Sequence, residues 1–581
     1  MIQSIDYYAI AAPLILALAA GLVLVLDAFL PRRPYVRPGL GLVALAGVFG
    51  ALGVVVSQAL RGGAPLRTFC VPEGLAGPER AGLGALPPQG GPSGGGGAAA
   101  ASSCSFVVDG FTLVLAGLVL LAGAVVVLLS MAELSDGEVP VGEWYFLLLC
   151  VLAGAVSLPA ARDLIMLVVA LELVSLPVFA LTALRRYDGR ASEAAVKLFL
   201  VSVVSTAVML FGVSLLYGMT GTVYLDRLAR TMREAVPQVI GGPGVEPVST
   251  AGGAMATIGR TNDRWASFPD HASLQVSYDL PPVVTVAVVL VIAGFAFKVA
   301  AVPFHAWAAD VYQGAPVPVA ALLSVISKAA GFAGLILVLV AALGGQAATW
   351  APIIAVLAAL TMTAGNLLAL RQRDAVRLLA WSSVAQSGYI LAPLGVLTGE
   401  AMGASVAYLV FYAAMNLGAF TVVMLVSRRG GGGLDDYRGL VFRSPAAGLA
   451  LAFFLVCLAG LPPGLAGLFA KIVVFREIVD GGGAWLAAVM AVNTVIGLYY
   501  YVAWAVRIFT PVRVPLDGTA GTAAGGGSAG TDGPPSGAGG ASRGWLPVGA
   551  AIALAGLVAV AFSVAPQWVL DLVPGSFTGH G

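Results

Sequence analysis

Four lysines and one glutamate carry the strongest chemical signal in this sequence. Of its 30 Lys and Arg residues, only Lys197, Lys298, Lys328 and Lys471 are lysine. All four fall inside apolar runs, EAAVKLFLVSVVS, IAGFAFKVAAVPF, LLSVISKAAGFAG and LAGLFAKIVVF. The arginines lie in connecting segments or near run ends, with Arg476 and Arg507 the deepest. Arginine stays protonated wherever a protein puts it, whereas desolvation can strip a lysine ammonium of its proton. A site that must load and release protons therefore needs lysine, and ionisable groups inside a membrane mark ion pathways. Lys197 stands only a few residues into its run, so snorkelling to an interface stays open beside an auxiliary role. Glu172, in DLIMLVVALELVSLPVFALTAL, has no charged neighbour in its own run. It is either a neutral, hydrogen-bonded acid or the partner of a lysine from another segment, and breaking such a pair can gate proton movement.

The elements that must position these groups are membrane spans. The chain has 581 residues, 59% hydrophobic and only 10% charged, against roughly 25% charged in a soluble protein. With about 20 apolar residues per crossing, the runs give an all-α polytopic membrane protein of about fourteen transmembrane helices. They lie near 8–30, 39–60, 106–131, 144–160, 163–184, 193–217, 281–302, 318–343, 351–370, 376–397, 402–427, 445–479, 483–509 and 545–567. The first run is too long for the apolar part of a signal peptide and lacks a basic leader, so it reads as a span. Short connections after odd-numbered spans hold Arg32, Arg33, Arg37, Arg185, Arg186, Arg190, Arg371, Arg373, Arg377, Arg428, Arg429, Arg438 and Arg443. The positive-inside rule makes those connections cytoplasmic and puts both termini outside a plasma (inner) membrane. A net charge of +1 with three histidines leaves no basic surface for nucleic acid, and four scattered cysteines make no zinc or iron-sulfur framework.

Proline breaks two of the spans. Pro303 follows Lys298 by five residues and Pro462-Pro463 precedes Lys471 by eight. Broken backbone in a membrane is tolerated where it is buried in protein or lines a hydrated cavity, and broken helices beside ionisable groups are a transporter feature. One such span in the middle and one late in the chain hint at two repeats. The chain then divides into a three-helix segment, 1–131, a first repeat, 144–343, a second repeat, 351–510, a cytoplasmic low-complexity loop, 511–543, and a C-terminal helix and tail, 545–581. The external insertions 61–105 and 218–280, and the 511–543 loop, are rich in Gly, Ala, Pro, Ser or Thr and read as disordered or weakly ordered. Cys70 and Cys104 bracket the first insertion on the outer side, where a disulfide can persist, while Cys150 and Cys457 sit in apolar spans as packing residues.

FKVAAVPFHAWAADVYQGAPVPVAALLSVISKAAG, residues 297–331, resembles the signature of the antiporter-like subunits of respiratory complex I, in the form seen in subunit N. LELVSLPVFALTAL around Glu172, GNLLALRQRDAVRLLAWSSVAQSGYIL at 365–391 and LAGLPPGLAGLFAKIVVF at 458–475 fit the same family. The resemblance covers most of the chain from about residue 106 to 510. Sister subunits L and M and the Mrp antiporter subunits carry a histidine-bearing LHA or LHS pattern where this chain has LLSVISK. The resemblance implies fourteen helices with two inverted five-helix repeats, broken helices seven and twelve, and one proton channel. It implies a controlling pair of Glu172 and Lys298, a central relay at Lys328, a group at Lys471 that exchanges protons with one aqueous side and an auxiliary site at Lys197. His305 and Asp310 belong to the matching motif, with His305 either a relay or a structural hydrogen-bonder. Tyr312, Gln313, Tyr389 and Ser382 are candidates for holding water chains.

The same resemblance implies no cofactor in this chain, with NADH oxidation, FMN, iron-sulfur clusters and the quinone site supplied by other membrane and hydrophilic subunits. The leading expectation is a non-redox, proton-translocating membrane subunit of NADH:quinone oxidoreductase. The alternative is an Mrp-type cation/proton antiporter subunit.

Overall fold

The structure, a computed structural model, describes residues 5–31, 36–71, 103–136, 139–185, 188–234, 247–249, 255–257, 282–511 and 545–573. The 511–543 loop lies almost wholly outside the described residues, as do most of the two earlier insertions and Arg32, Arg33 and Arg186 of the expected cytoplasmic connections.

Among the described residues, seventeen helices of seven residues or more build the bundle. In chain order they are α1 (Ala11–Phe29), α2 (Val36–Arg61), α3 (Gly110–Glu133), α4 (Val141–Ala160), α5 (Leu164–Ala183), α6 (Gly189–Thr220), α7 (Leu225–Glu234), α8 (Pro282–Lys298) and α9 (Ala308–Gly314). There follow α10 (Val317–Ala342), α11 (Gly344–Ala369), α12 (Ala375–Leu391), α13 (Ala401–Ser427), α14 (Pro445–Ala459), α15 (Leu465–Asp480), α16 (Ala484–Phe509) and α17 (Leu546–Val564). Among the described residues, 11 of these helices are long and apolar enough to cross a membrane. The protein is therefore a helical, multi-pass membrane protein. Aspartates start several helices by accepting a first-turn backbone N–H: Asp109 from Thr112, Asp163 from Met166, Asp188 from Arg190 and Asp374 from Arg377. Gly221, at φ +67°, ends α6 in the left-handed conformation.

Two irregularities position the lysines. The run containing Lys298 stops at that residue, and the chain turns through 299–307, with Ala300 at φ +56°, before α9 resumes. The run containing Lys471 is likewise split between α14 and α15, around Gly460 at φ +82°. Within α10, residues Leu323–Ser327 wind as a wider π-turn immediately ahead of Lys328. α13 is buried along its whole length at the centre of the bundle.

The two insertions are more ordered at their ends than their composition indicates. Strands β1 (Leu66–Cys70) and β2 (Cys104–Val108) pair antiparallel, with Cys70 opposite Cys104 and the two joined by a disulfide. A second short pair, Pro247–Ser249 with Met255–Thr257, lies in the other insertion. The expected all-α architecture thus carries two small strand pairs. α7 opens the second insertion as an amphipathic helix, burying Leu225, Leu228, Ala229 and Met232 at three- and four-residue spacing. Ser103 ties it to β2, donating to Asp226 Oδ2 at 2.8 Å and accepting from Arg227 Nε at 2.9 Å. These elements, with the Arg162–Asp109 ion pair at 2.5 Å, close one end of the bundle. The other end carries the arginine-rich connections, where Arg185 pairs with Glu133 and Arg428 reaches the Ala132 carbonyl.

Candidate functional site

Glu172 projects from α5 and Lys298 from the broken end of α8, and their charged atoms lie 3.8 Å apart. Each finds closer partners among hydroxyls. Lys298 Nζ donates to Ser175 Oγ at 2.6 Å and to Ser202 Oγ at 3.0 Å, and Thr206 donates to Glu172 Oε1 at 2.8 Å. Glu172 and Ser175 share a face of α5 at three-residue spacing, and Ser202 and Thr206 share one of α6 at four. The two helices thus hold the pair between two hydroxyl-bearing edges.

Lys328 is 2% exposed and its ammonium has three partners. It donates to Ser383 O at 2.5 Å, Ser383 Oγ at 2.7 Å and Ser387 Oγ at 2.8 Å. A hydroxyl can accept from an ammonium and, after rotating, donate to a neutral amine, so this cage suits either protonation state. Ser387 Oγ also donates to the Val299 carbonyl at 2.7 Å. That carbonyl belongs to the residue after Lys298, where the break leaves it without a helical partner. One serine therefore bridges the Lys298 break to Lys328. The Tyr412 hydroxyl closes the far side, 2.7 Å from Ser383 Oγ and 3.1 Å from the Ser324 carbonyl in the π-turn.

Lys471 is buried against the second break and donates to the Ala459 and Leu458 carbonyls at 2.7 and 3.1 Å. Those carbonyls end α14 and have no later turn to bond. No carboxylate among the described residues lies in ion-pair reach of Lys328 or Lys471.

Lys197 sits elsewhere. Its side chain is 44% exposed and it pairs with Glu193 at 2.6 Å and Asp310 at 3.3 Å. Asp310 also holds Arg377 at 2.9 Å, and the same Arg377 nitrogen donates to Gln313 Oε1 at 2.9 Å. Lys197, Glu193, Asp310 and Gln313, with Arg190, line a polar pocket of about 360 Å³ at the arginine-bearing end. Lys197 is thus at a mouth rather than in the buried row. His305 stands half-buried past the first break with its ring edge-on to Trp381, and its Nδ1 has no partner among the described residues. Tyr312 is fully buried, Ser382 donates to its own helix at the Leu379 carbonyl, and Tyr389 accepts from Asn366 at 3.3 Å.

Tyr389 belongs to a neutral cluster that sequence reasoning did not assemble. Asn366 Nδ2 reaches Asn493 Oδ1 at 3.1 Å, Tyr500 donates to Asn366 Oδ1 at 3.0 Å, and Gln386 takes a 2.6 Å bond from Tyr408 and gives one to Tyr501 at 3.2 Å. Ser175, Ser202, Thr206, Ser383, Ser387 and Tyr412 were likewise not singled out. Their available signal was hydroxyls at three- or four-residue spacing to an ionisable group or to each other.

Among the described residues no group of three or more His, Cys, Asp or Glu could hold a metal. The arrangement offers ammonium groups, carboxylates and hydroxyls, which can take up and pass on protons.

The sequence matches the family described as NADH:quinone oxidoreductase/Mrp antiporter, transmembrane, over residues 161–246 and 253–497. It is 46% identical over 90% of its length to the NADH-quinone oxidoreductase subunit N 2 of Streptomyces griseus, covering 86% of that protein. It is 42% identical to the corresponding subunit N of Salinispora tropica, covering 89% of each chain. Among solved structures, a chain of respiratory complex I from Thermus thermophilus matches 97% of this chain and all of its own, at 27% identity and a TM-score of 0.65. A chain of the Mrp complex from Dietzia sp. has the same fold, at 22% identity and a TM-score of 0.71.

Proposed function

The chain belongs to the NADH:quinone oxidoreductase/Mrp antiporter transmembrane family, and within it to the subunit N group of NADH-quinone oxidoreductases, and from that premise we propose that its lysine row is the proton path of a complex I membrane subunit. The observation that carries this reading is that Ser387 bonds both Lys328 and the Val299 carbonyl at the break beside Lys298, which fixes the Lys328 cage against the element that carries the Glu172–Lys298 pair. Glu172 and Lys298 gate entry, Lys328 relays, and Lys471 exchanges protons at the second break. Lys197 is an auxiliary group at the arginine-bearing mouth, and His305 stands beside that route.

In the bilayer the chain makes fourteen crossings, the 11 long helices being joined by α12 and by the two broken spans, α8 with α9 and α14 with α15. The broken spans are each the fourth of five in inverted repeats at 144–343 and 351–510, after the segment 1–131 and before the 511–543 loop and 545–581 tail. The arginine-bearing end faces the cytoplasm, and the disulfide and both termini lie outside a plasma (inner) membrane. Other subunits of the assembly oxidise NADH and carry FMN, the iron-sulfur clusters and the quinone site. This chain contributes translocation and no redox chemistry.

The test is copurification from native membranes together with NADH-driven proton pumping. Flavin- and cluster-bearing hydrophilic partners support the reading. Recovery with small membrane subunits alone would favour the Mrp-type alternative, for which the Dietzia likeness supplies a fold only.

A further inference from the structure

α15 carries Lys471, yet its first turn has no cap of its own. The residue at its N-cap is Gly464, which has no side chain to bond the first-turn N–H groups. Helices commonly place Ser, Thr, Asp or Asn there. Here none fits. A Cβ on Gly464 would lie 2.5 Å from the Cys457 nitrogen and 2.7 Å from its sulfur, and one on Gly467 would overlap the Cys457 carbonyl oxygen. The first turn of α15 is thus pressed backbone to backbone on the end of α14, and a capping side chain must come from elsewhere.

It comes from the last turn of α17. Ser563 is 6% exposed, and its Oγ accepts from the Ala466 N–H at 3.2 Å. Ala466 is the second residue of α15, one of the two positions whose N–H a capping side chain normally bonds. The Ser563 hydroxyl donates to the Ala559 carbonyl of its own helix at 2.8 Å. With its proton so placed it presents lone pairs to α15, which is what an N–H requires. The turn held in this way is the one that sets Lys471. Gly467 and Lys471 share a face of α15 at four-residue spacing. Gly467 lies on Cys457, immediately before the Leu458 and Ala459 carbonyls that Lys471 bonds at 3.1 and 2.7 Å. A first turn that slid or unwound on α14 would carry the ammonium off those carbonyls.

We infer that Ser563 is a positioning residue for Lys471: the C-terminal helix α17 caps the half-helix α15 and so fixes Lys471 against the carbonyls of the second break. This rests on the reading of Lys471 as a proton-exchanging group and adds to it the element that sets where the exchange occurs. Among the described residues Ser563 makes no hydrogen bond to Lys471, so it acts through the backbone of α15.

Ser563→Ala removes the cap at a helical position where alanine is well tolerated, so the complex should assemble. Counted per assembled complex, NADH-driven quinone reduction and proton pumping should both fall severalfold, and the pH profile of pumping should be displaced from the parent's. Ser563→Thr, which keeps the hydroxyl and its bond to the preceding turn, should recover both rate and profile. A purely structural serine predicts less complex, with parent rates and the parent profile in what does assemble, and that result overturns the inference. So does parent behaviour in every respect, or a loss that threonine does not recover. Should the alanine variant not assemble, Ser563→Cys, a weaker acceptor of nearly the same size, is read by the same criteria. Lys471→Gln run in parallel separates the failures. Parent pumping there sinks the proton-exchange reading of Lys471 and this inference with it, whereas a deep loss there beside a parent-like Ser563→Ala sinks only the positioning role. Independently of any variant, a map of the assembled complex should place Ser563 Oγ within hydrogen-bond distance of the Ala466 nitrogen, and a wider separation overturns the inference.

Discussion

Lys298 and Glu172 face each other across 3.8 Å while each keeps a shorter bond to a hydroxyl. The pair is thus joined by charge and held in place by serine and threonine. Its ions can separate by small rotations without stranding either one, because Ser175, Ser202 and Thr206 remain as partners. A direct two-point carboxylate–ammonium bond would be harder to open.

Glu172→Gln and Lys298→Met should each impair proton pumping, because each leaves the opposite charge uncompensated at a site where losing one partner costs about 3 kcal/mol or more. The double change removes both charges, so its effect should be smaller than the sum. Pumping and quinone reduction by the assembled complex measure the coupling, and strictly additive losses would mean that the two residues do not act as a pair.

Ser387→Ala removes the hydroxyl that touches both Lys328 and the Val299 carbonyl. The stability cost is that of one buried hydrogen bond, about 1 kcal/mol, and the complex should assemble. Pumping should fall by more than so small a cost to the fold would explain. An alanine variant that pumps like the parent removes Ser387 from the path.

Lys197→Ala should be mild by comparison. Lys197, Glu193 and Asp310 are all 41% exposed or more, and exposed ion pairs contribute about 0–1 kcal/mol. Arg377 keeps Asp310 compensated in its absence. Quinone reduction near the parent rate is the expected result, and a loss as deep as that of Lys328→Met would move Lys197 into the main row.

The difference between Lys197 and the other lysines shows where sequence reasoning stops. An apolar run states that a residue is in a helix, but its depth is set by what packs against it, and here Asp310 and Arg377 make a polar mouth. The breaks were legible because Pro303 and Pro462-Pro463 cannot continue a helix. The partnership of Glu172 was legible because a lone carboxylate in an apolar helix requires explanation. The serines were not. In an apolar helix a serine commonly bonds its own i−4 carbonyl, as Ser130 and Ser157 do. Ser175 makes the same bond and still accepts from Lys298, so spacing alone does not say which serines also turn outward. α7 escaped notice because its LDRLARTMRE stripe is embedded in a segment whose composition reads as disordered.

Cys70 and Cys104 face each other in the β1–β2 pair and are disulfide-bonded, which requires an oxidising compartment. Non-reduced peptide mapping of freshly isolated membranes should recover the two cysteines in one linked species. Both found as free thiols would remove the bridge and, with it, one support for placing this end outside.

Lys471 gives the sharpest test, because the chain uses arginine almost wherever a permanent cation suffices. Its ammonium is bonded to the Leu458 and Ala459 carbonyls at the break. If its work is to hold those carbonyls, Lys471→Arg supplies more donors and should support assembly and activity. If it must release a proton, the guanidinium cannot, since it stays protonated in proteins. Space is the competing explanation for a loss: a Cβ on Gly460 would lie only 3.3 Å from Lys471 Nζ, so the larger head has little room beside that turn. Lys471→Gln separates the two, since it is no larger than lysine, keeps N–H donors for the carbonyls and cannot carry a proton. Both variants should assemble on a native gel and show depressed quinone reduction and depressed pumping, with an uncoupler failing to restore the electron flow because the block lies in proton transfer itself. An assembled arginine variant with parent pumping would end the relay role of Lys471 and the inference drawn from the depth of the lysines.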